Sequence, residues 1–201
     1  MKITTFLLGL MSNNTYIVEN EEEKTCFIVD PSTESSKLTG YIDDNNLKLE
    51  GILLTHGHFD HIGGVARLKD KYGAKVYMHK MDIEFIDNPL DFGRKYTRFD
   101  VDVAVDDGDE ITLCNQKIKV IHTPGHSRGG VCYICNDVIF CGDTIFRGSL
   151  GRYDLRGGDF ATLVNSIEKI FDIQGDYTLL CGHGPSTTLA IERAHNEIFR
   201  V

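Results

Sequence analysis

No stretch of this sequence approaches the roughly 18 consecutive apolar residues of a membrane-spanning helix, so the chain reads as soluble and no membrane partner is expected. No low-complexity tract or Pro/Ser-rich linker interrupts its 201 residues, which argues against disorder and for one domain covering 1-201. Positive charge is scarce. Against 30 Asp and Glu there are 21 Lys and Arg, a formal charge of -9 that would repel a phosphate backbone or anionic lipid, and no basic run is long enough to offset it. Nucleic acid is therefore excluded as an expected partner. The N-terminus lacks a small-x-small cleavage site, and Thr4, Thr5 and Gly9 dilute its apolar run, so Ile3 to Leu8 reads as a first strand and not a signal peptide. A second C-x-x-C is also missing. The one present, Cys132 and Cys135, has an odd spacing that sends its sulfurs to opposite faces of a strand, which argues against a tetrathiolate zinc site. The other cysteines (Cys26, Cys114, Cys141, Cys181) also lie mostly in apolar surroundings, the pattern of free thiols in a reducing cytoplasm.

What remains is ordinary globular composition, 41% hydrophobic and 25% charged. Strand-like runs at Ile3 to Leu8, Thr15 to Glu19 and Thr25 to Val29 suggest an antiparallel meander, with acidic Glu19 to Glu23 as a solvated turn. Leu38, Tyr41 and Ile42 share a helical spacing within 35–46, ahead of the apolar run Gly51 to Leu54. A strand at Lys75 to His79 and a short helix around Met81 to Ile86 follow, with His79 read as a surface or strand-end residue. Asn88 to Phe99 lacks periodicity and reads as a long loop that can border a pocket. A second series of strands spans Glu110 to Cys114, Lys117 to His122, Gly130 to Cys135 and Asp137 to Cys141, with His122 as packing and not a ligand. Asp159 caps an amphipathic helix built on Phe160, Leu163, Val164, Ile167 and Phe171; Tyr177 to Cys181 is a last strand, and a closing helix carries a solvated His195. Two strand sets with helices to cover each predict an α/β fold, a four-layer αββα sandwich with its sites along one edge.

The chemistry concentrates after Leu54, where His56, His58, Asp60 and His61 place three imidazoles and a carboxylate within six residues. Helix capping by Asp60 explains none of the histidines, whereas a metal site explains all of them. Three further candidates each follow a predicted strand and lie beside glycine: His126 after Gly125, Asp143 after Gly142, and His183 between Gly182 and Gly184. Glycine permits a sharp turn and leaves room near an ion. Five histidines and two aspartates suffice for two divalent ions sharing a carboxylate, and such donors suit zinc or iron, with manganese also within range.

The His-x-His-x-Asp-His stretch, with the later Pro-Gly-His-Ser, Gly-Asp-Thr and Gly-His-Gly segments in order, resembles the metallo-β-lactamase-fold hydrolases over nearly the whole chain. That resemblance implies the same αββα sandwich, with His56, His58 and His126 on a first metal, Asp60, His61 and His183 on a second, and Asp143 bridging them. The segment Gly142 to Arg152 looks like the short glyoxalase II-like branch, the hydroxyacylglutathione hydrolase-type thioesterases; the full-length enzymes add a helical extension that supplies glutathione contacts, whereas this chain ends at Val201. The expected reaction is hydrolysis of a small-molecule thioester, S-lactoylglutathione-like, by a hydroxide bridging the two metals, with Asp60 helping to orient it. Arg147 and Arg152, and less so Tyr153, are candidates to meet a substrate carboxylate. Competing readings are a persulfide dioxygenase with a single iron, a lactonase or β-lactamase-type hydrolase, and a metal-stabilised binding module.

Overall fold

The computed structural model describes residues 1–87 and 96–199. Among these, the chain opens with β1 (Lys2–Leu8) and β2 (Asn13–Asn20), an antiparallel hairpin in register from Lys2 opposite Glu19 to Leu8 opposite Asn13. β3 (Thr25–Val29) pairs antiparallel with β2. α1 (Ser36–Asp44) starts where the Ser35 hydroxyl accepts from the Leu38 N–H, and it returns the chain to β4 (Lys48–Leu53), parallel to β3. The short α2 (Phe59–Ile62) and α3 (Val65–Tyr72) follow, the latter stopped by Gly73 at φ 66°. β5 (Lys75–His79), α4 (Ile83–Asp87) and β6 (Val103–Val105) complete a six-stranded sheet in the order β1-β2-β3-β4-β5-β6.

β7 (Glu110–Leu113), β8 (Gln116–His122), β9 (Val131–Cys135) and β10 (Val138–Gly142) then form an antiparallel meander. A two-stranded ribbon, β11 (Ile145–Phe146) with β12 (Ser149–Leu150), precedes α5 (Phe160–Phe171), whose first turn is capped by Asp159 accepting from the Thr162 N–H at 2.8 Å. β13 (Thr178–Cys181) pairs parallel with β10, and β14 (Thr187–Thr188) leads into α6 (Leu189–His195), giving a second six-stranded sheet ordered β14-β13-β10-β9-β8-β7.

Three apolar clusters show how the layers stack. Leu38, Ile42, Val65 and Leu68 of α1 and α3 pack on Ile17, Ile28, Ile52 and Val76 of the first sheet. Val18, Phe27 and Leu53 meet Val120, Tyr133 and Phe140 between the sheets. Leu163, Ile167 and Ile170 of α5 cover Ile139, Cys141 and Leu179 of the second sheet. Helices thus lie outside two facing sheets, the expected αββα order. All six cysteines are free and buried, and Cys132 and Cys135 belong to different clusters on opposite faces of β9.

Some expectations need correction. Glu19 is not part of a solvated turn: it is 3% exposed within β2, accepting from the Tyr41 hydroxyl at 2.6 Å. His79 does end β5 but is buried, stacked on His122 with ring centroids 4.3 Å apart, and is not at the surface. Asp60 does not cap α2: His58 holds the N-cap position without a side-chain bond, and Asp60 sits inside the first turn. β6, β11, β12 and β14 are too short for periodicity to show them. Most of the loop read at Asn88 to Phe99 lies outside the described residues, and Tyr96 to Phe99 have no regular structure.

Candidate metal centre

The site forms where β4, β8, β10 and β13 deliver their C-terminal ends to one edge of the sandwich. Cross-sheet bonds fix that edge: Val131 N–H donates to Thr55 O at 2.8 Å, the Tyr133 hydroxyl to Leu54 O at 2.9 Å, and Asn14 N–H to Gly182 O at 2.7 Å. All seven residues of the two sequence clusters come together here. His56 Nε2, His58 Nδ1 and His126 Nε2 converge, with His126 Nε2 3.2 Å from His56 Nε2 and 2.9 Å from His58 Nδ1. Asp60 Oδ2 lies 3.2 Å from His183 Nε2 and 3.9 Å from His61 Nε2. Asp143 stands between the groups: Oδ2 is 3.6 Å from both His126 Nε2 and His183 Nε2, and Oδ1 is 3.4 Å from His61 Nε2.

The opposite ring nitrogens dictate which ones face inward with a lone pair. His126 Nδ1 reaches Arg152 O at 2.7 Å and His183 Nδ1 reaches Met11 O at 3.2 Å, both carbonyls that can only accept. The Thr55 hydroxyl gives its proton to Asp30 Oδ2 at 2.6 Å, so His56 Nδ1–H must donate to Thr55 Oγ1 at 3.1 Å. His61 Nδ1 faces Asp30 Oδ2 at 2.9 Å. Each bond leaves Nε2 as the inward atom, which is how proteins orient imidazoles toward cations. In the sequence Asp30 merely follows the strand-like run Thr25 to Val29. The structure makes it the anchor of both His56 and His61, held at φ 50° with its N–H donating to Leu53 O at 3.1 Å. Asp82 was not singled out either; buried, it accepts from Gly57 N–H at 2.9 Å, the Ser127 hydroxyl at 2.7 Å and Gly129 N–H at 2.5 Å, tying the turn that carries His56 and His58 to the one that carries His126. Asn13, a third residue not foreseen, sets its amide nitrogen 2.9 Å from His61 Nε2.

The electrostatics divide the site. Burial, reinforced by neighbouring imidazoles, drives His56 well below the usual histidine range and His58 down to about 3, so both rings are neutral. On the other side burial also opposes charge on His61 and His183, but Asp143 and Asp30 outweigh it for His61, and Asp60 outweighs it for His183, so both are raised. Burial would lift Asp143, yet the rings of His61, His126 and His183 hold its carboxyl far below the ordinary range. The donor set fits metal ions: three imidazole nitrogens converge within hydrogen-bond distance, and Asp143 Oδ1 is buried with no hydrogen bond. Gly182 is needed for this packing, because a Cβ there would collide with the Asp143 carboxylate and the His61 ring.

Beside the ligands lies a cleft of about 620 Å³, floored by His58, His126, Asp143 and His183. Arg152 lines it, while Arg147 is exposed and outside the lining. Tyr153 is 45% exposed, outside the lining, and packs on Phe160 with centroids 4.9 Å apart.

Residues 8–183 match the family described as Metallo-beta-lactamase superfamily. The chain is 31% identical over 186 residues to "Hydroxyacylglutathione hydrolase GloC" of Haemophilus influenzae, covering 88% of each. It superposes on the solved structure of BLEG-1, described as a B3 metallo-beta-lactamase, with TM-score 0.91 and 34% identity over 97% of this chain and 98% of the other. TTHA1623 in a di-iron-bound form gives TM-score 0.85 and 34% identity over 96% and 98%.

Proposed function

We propose, from the premise that this chain belongs to the metallo-beta-lactamase superfamily, that it is a metal-dependent hydrolase acting on a thioester of the hydroxyacyl-thiol kind. The observation that carries the reading is the placement of Asp143 within 3.6 Å of imidazoles from both ligand groups. His56, His58 and His126 would hold one divalent cation, Asp60, His61 and His183 a second, and Asp143 would serve both. Nitrogen and oxygen donors without thiolate suit zinc or iron, and the di-iron form of a relative keeps iron in view beside zinc. Such cations, when bound, supply Lewis acidity and a water acidified towards neutrality.

The chain's own residues do the rest. The cleft seats the ester with its carbonyl over the ligand floor. Asp60, 16% exposed at that floor, would orient the attacking water and take up its proton. A thiolate leaving group needs little protonation, which fits a cleft lined by no lysine or cysteine among the described residues. The name carried by the Haemophilus influenzae relative supports a thioester, and the description of BLEG-1 makes a β-lactam the competing acyl compound.

Metal quantification on the purified protein, paired with S-lactoylglutathione hydrolysis by wild type and Asp143→Ala, tests this. About two metals per chain are expected, with activity falling at least ~100-fold in the variant. Full activity in Asp143→Ala would overturn the shared-carboxylate assignment.

A further inference from the structure

The cleft's walls carry more information than its floor. Five apolar side chains line it: Met11 from the β1–β2 turn, Phe59 from α2, Phe146 and Leu150 from the β11–β12 ribbon, and Leu155 beyond it. None is buried; Met11 is 56% exposed and the other four are partly so. Partly exposed apolar groups gathered around one cleft gain free energy only when something apolar covers them.

The charge on those walls points the same way. Among the described residues Arg152 is the one lysine or arginine of the lining, and its guanidinium donates to Asp154, Nε to Oδ1 at 2.8 Å and Nη2 to Oδ2 at 3.0 Å. This two-point grip occupies the Nε–Nη2 edge of the guanidinium and sets a carboxylate beside its charge. The carboxylates of the lining, Asp60 and Asp143, belong to the ligand floor. Along this wall, away from the ligand floor, an anionic arm would meet an arginine whose charge Asp154 already offsets.

We propose that the wall formed by Met11, Phe59, Phe146, Leu150 and Leu155 binds an uncharged apolar arm of the substrate, and that Asp154 sets this preference by holding Arg152 away from anionic groups. The inference rests on the thioesterase reading above and narrows it: the preferred ester carries its charge-free portion in this cleft, and a carrier bearing free carboxylates is a poorer ligand.

Binding to the full-length zinc-loaded protein separates charge from shape when N-acetyl-S-hexylglutathione is compared with its diethyl ester, which keeps the hexyl arm, masks both carboxylates and carries no charge. Calorimetry on wild type is expected to give the diester about tenfold tighter binding. An exposed ion pair is worth little, so Asp154→Asn should tighten binding of the free acid by about three- to fivefold and leave the diester nearly unchanged. Leu150→Asn should weaken both hexyl compounds. Tighter binding of the free acid by wild type, an unchanged ratio in Asp154→Asn, or binding of neither compound overturns the proposal. The expected ratios without turnover of any thioester, on either a free or an esterified carrier, would support the wall assignment and overturn the thioesterase reading.

Discussion

At the scale of single residues, the site depends on side chains that never face its centre. Asp30 accepts from Thr55 N–H and the Thr55 hydroxyl and faces His61 Nδ1, so one carboxylate sets the tautomer of two rings. Asp30→Asn keeps the volume but turns half of those acceptors into donors. Metal affinity should fall about 10- to 100-fold while the fold persists, measured by competition with a chromophoric chelator alongside circular dichroism; unchanged affinity would refute the anchoring role. The seven candidate ligands were legible in the sequence because four sit in six residues and the others share a strand-end-and-glycine setting. Asp30, Asn13 and Asp82 were not. Asp30 lies 31 residues from His61, Asn13 lies 48 from it, and Asp82 lies 47 from Gly129, with no local pattern to link them. The pairing of β2, β3 and β4 in one sheet brings Asn13, Asp30 and His61 to the same edge, and the facing of the two sheets brings Gly129 to Asp82. The substrate candidates show the same limit: Arg152 reaches the cleft, but its engagement by Asp154 is a matter of rotamers, which spacing does not record.

At the scale of elements, the long periodic segments were readable and the short ones were not. α5 declares itself through Leu163 and Ile167, although its buried face also takes Ile170 while Phe160 stays 46% exposed; β11, β12 and β14 hold two residues each and exist through pairing alone. Short elements such as β6 rely on tethers. Asp102, just before it, accepts from Lys69 Nζ of α3 at 2.6 Å and from Val76 N–H of β5 at 2.8 Å. Partial burial pushes this carboxyl up, but those two bonds together hold it below the ordinary 3.8. The folded pKa therefore lies below the unfolded one, so the tether's stabilisation is fully present above pH 3.8 and is lost as pH falls through the folded value. Asp102→Asn should flatten the loss of stability on acidification below about pH 4, by under ~1 kcal/mol because the pair is partly solvated. Urea midpoints for both proteins across that range check it, and parallel curves would count against the tether.

At the scale of the whole molecule, the two sheets contribute different halves of the centre: His56, His58, Asp60 and His61 follow β4 of the first, and His126, Asp143 and His183 follow strands of the second. Cations shared between them would clasp the layers at one edge, adding stability only to the folded chain. The six buried thiols turn that architecture into a stopwatch. Cys26 lies in the first helix-facing core, Cys114 and Cys135 lie between the sheets, Cys132 and Cys141 lie beneath α5, and Cys181 ends β13 just before Gly182 and His183. A coloured disulfide reagent can reach them only when a layer parts, so each sulfur reports how often its own interface opens. Chelation should speed the labelling of Cys181 and its neighbours several-fold while Cys26 lags, and equal rates with and without cations would mean that the clasp does not hold the layers together. The chain thus carries, in ordinary core residues, its own record of which seam yields first.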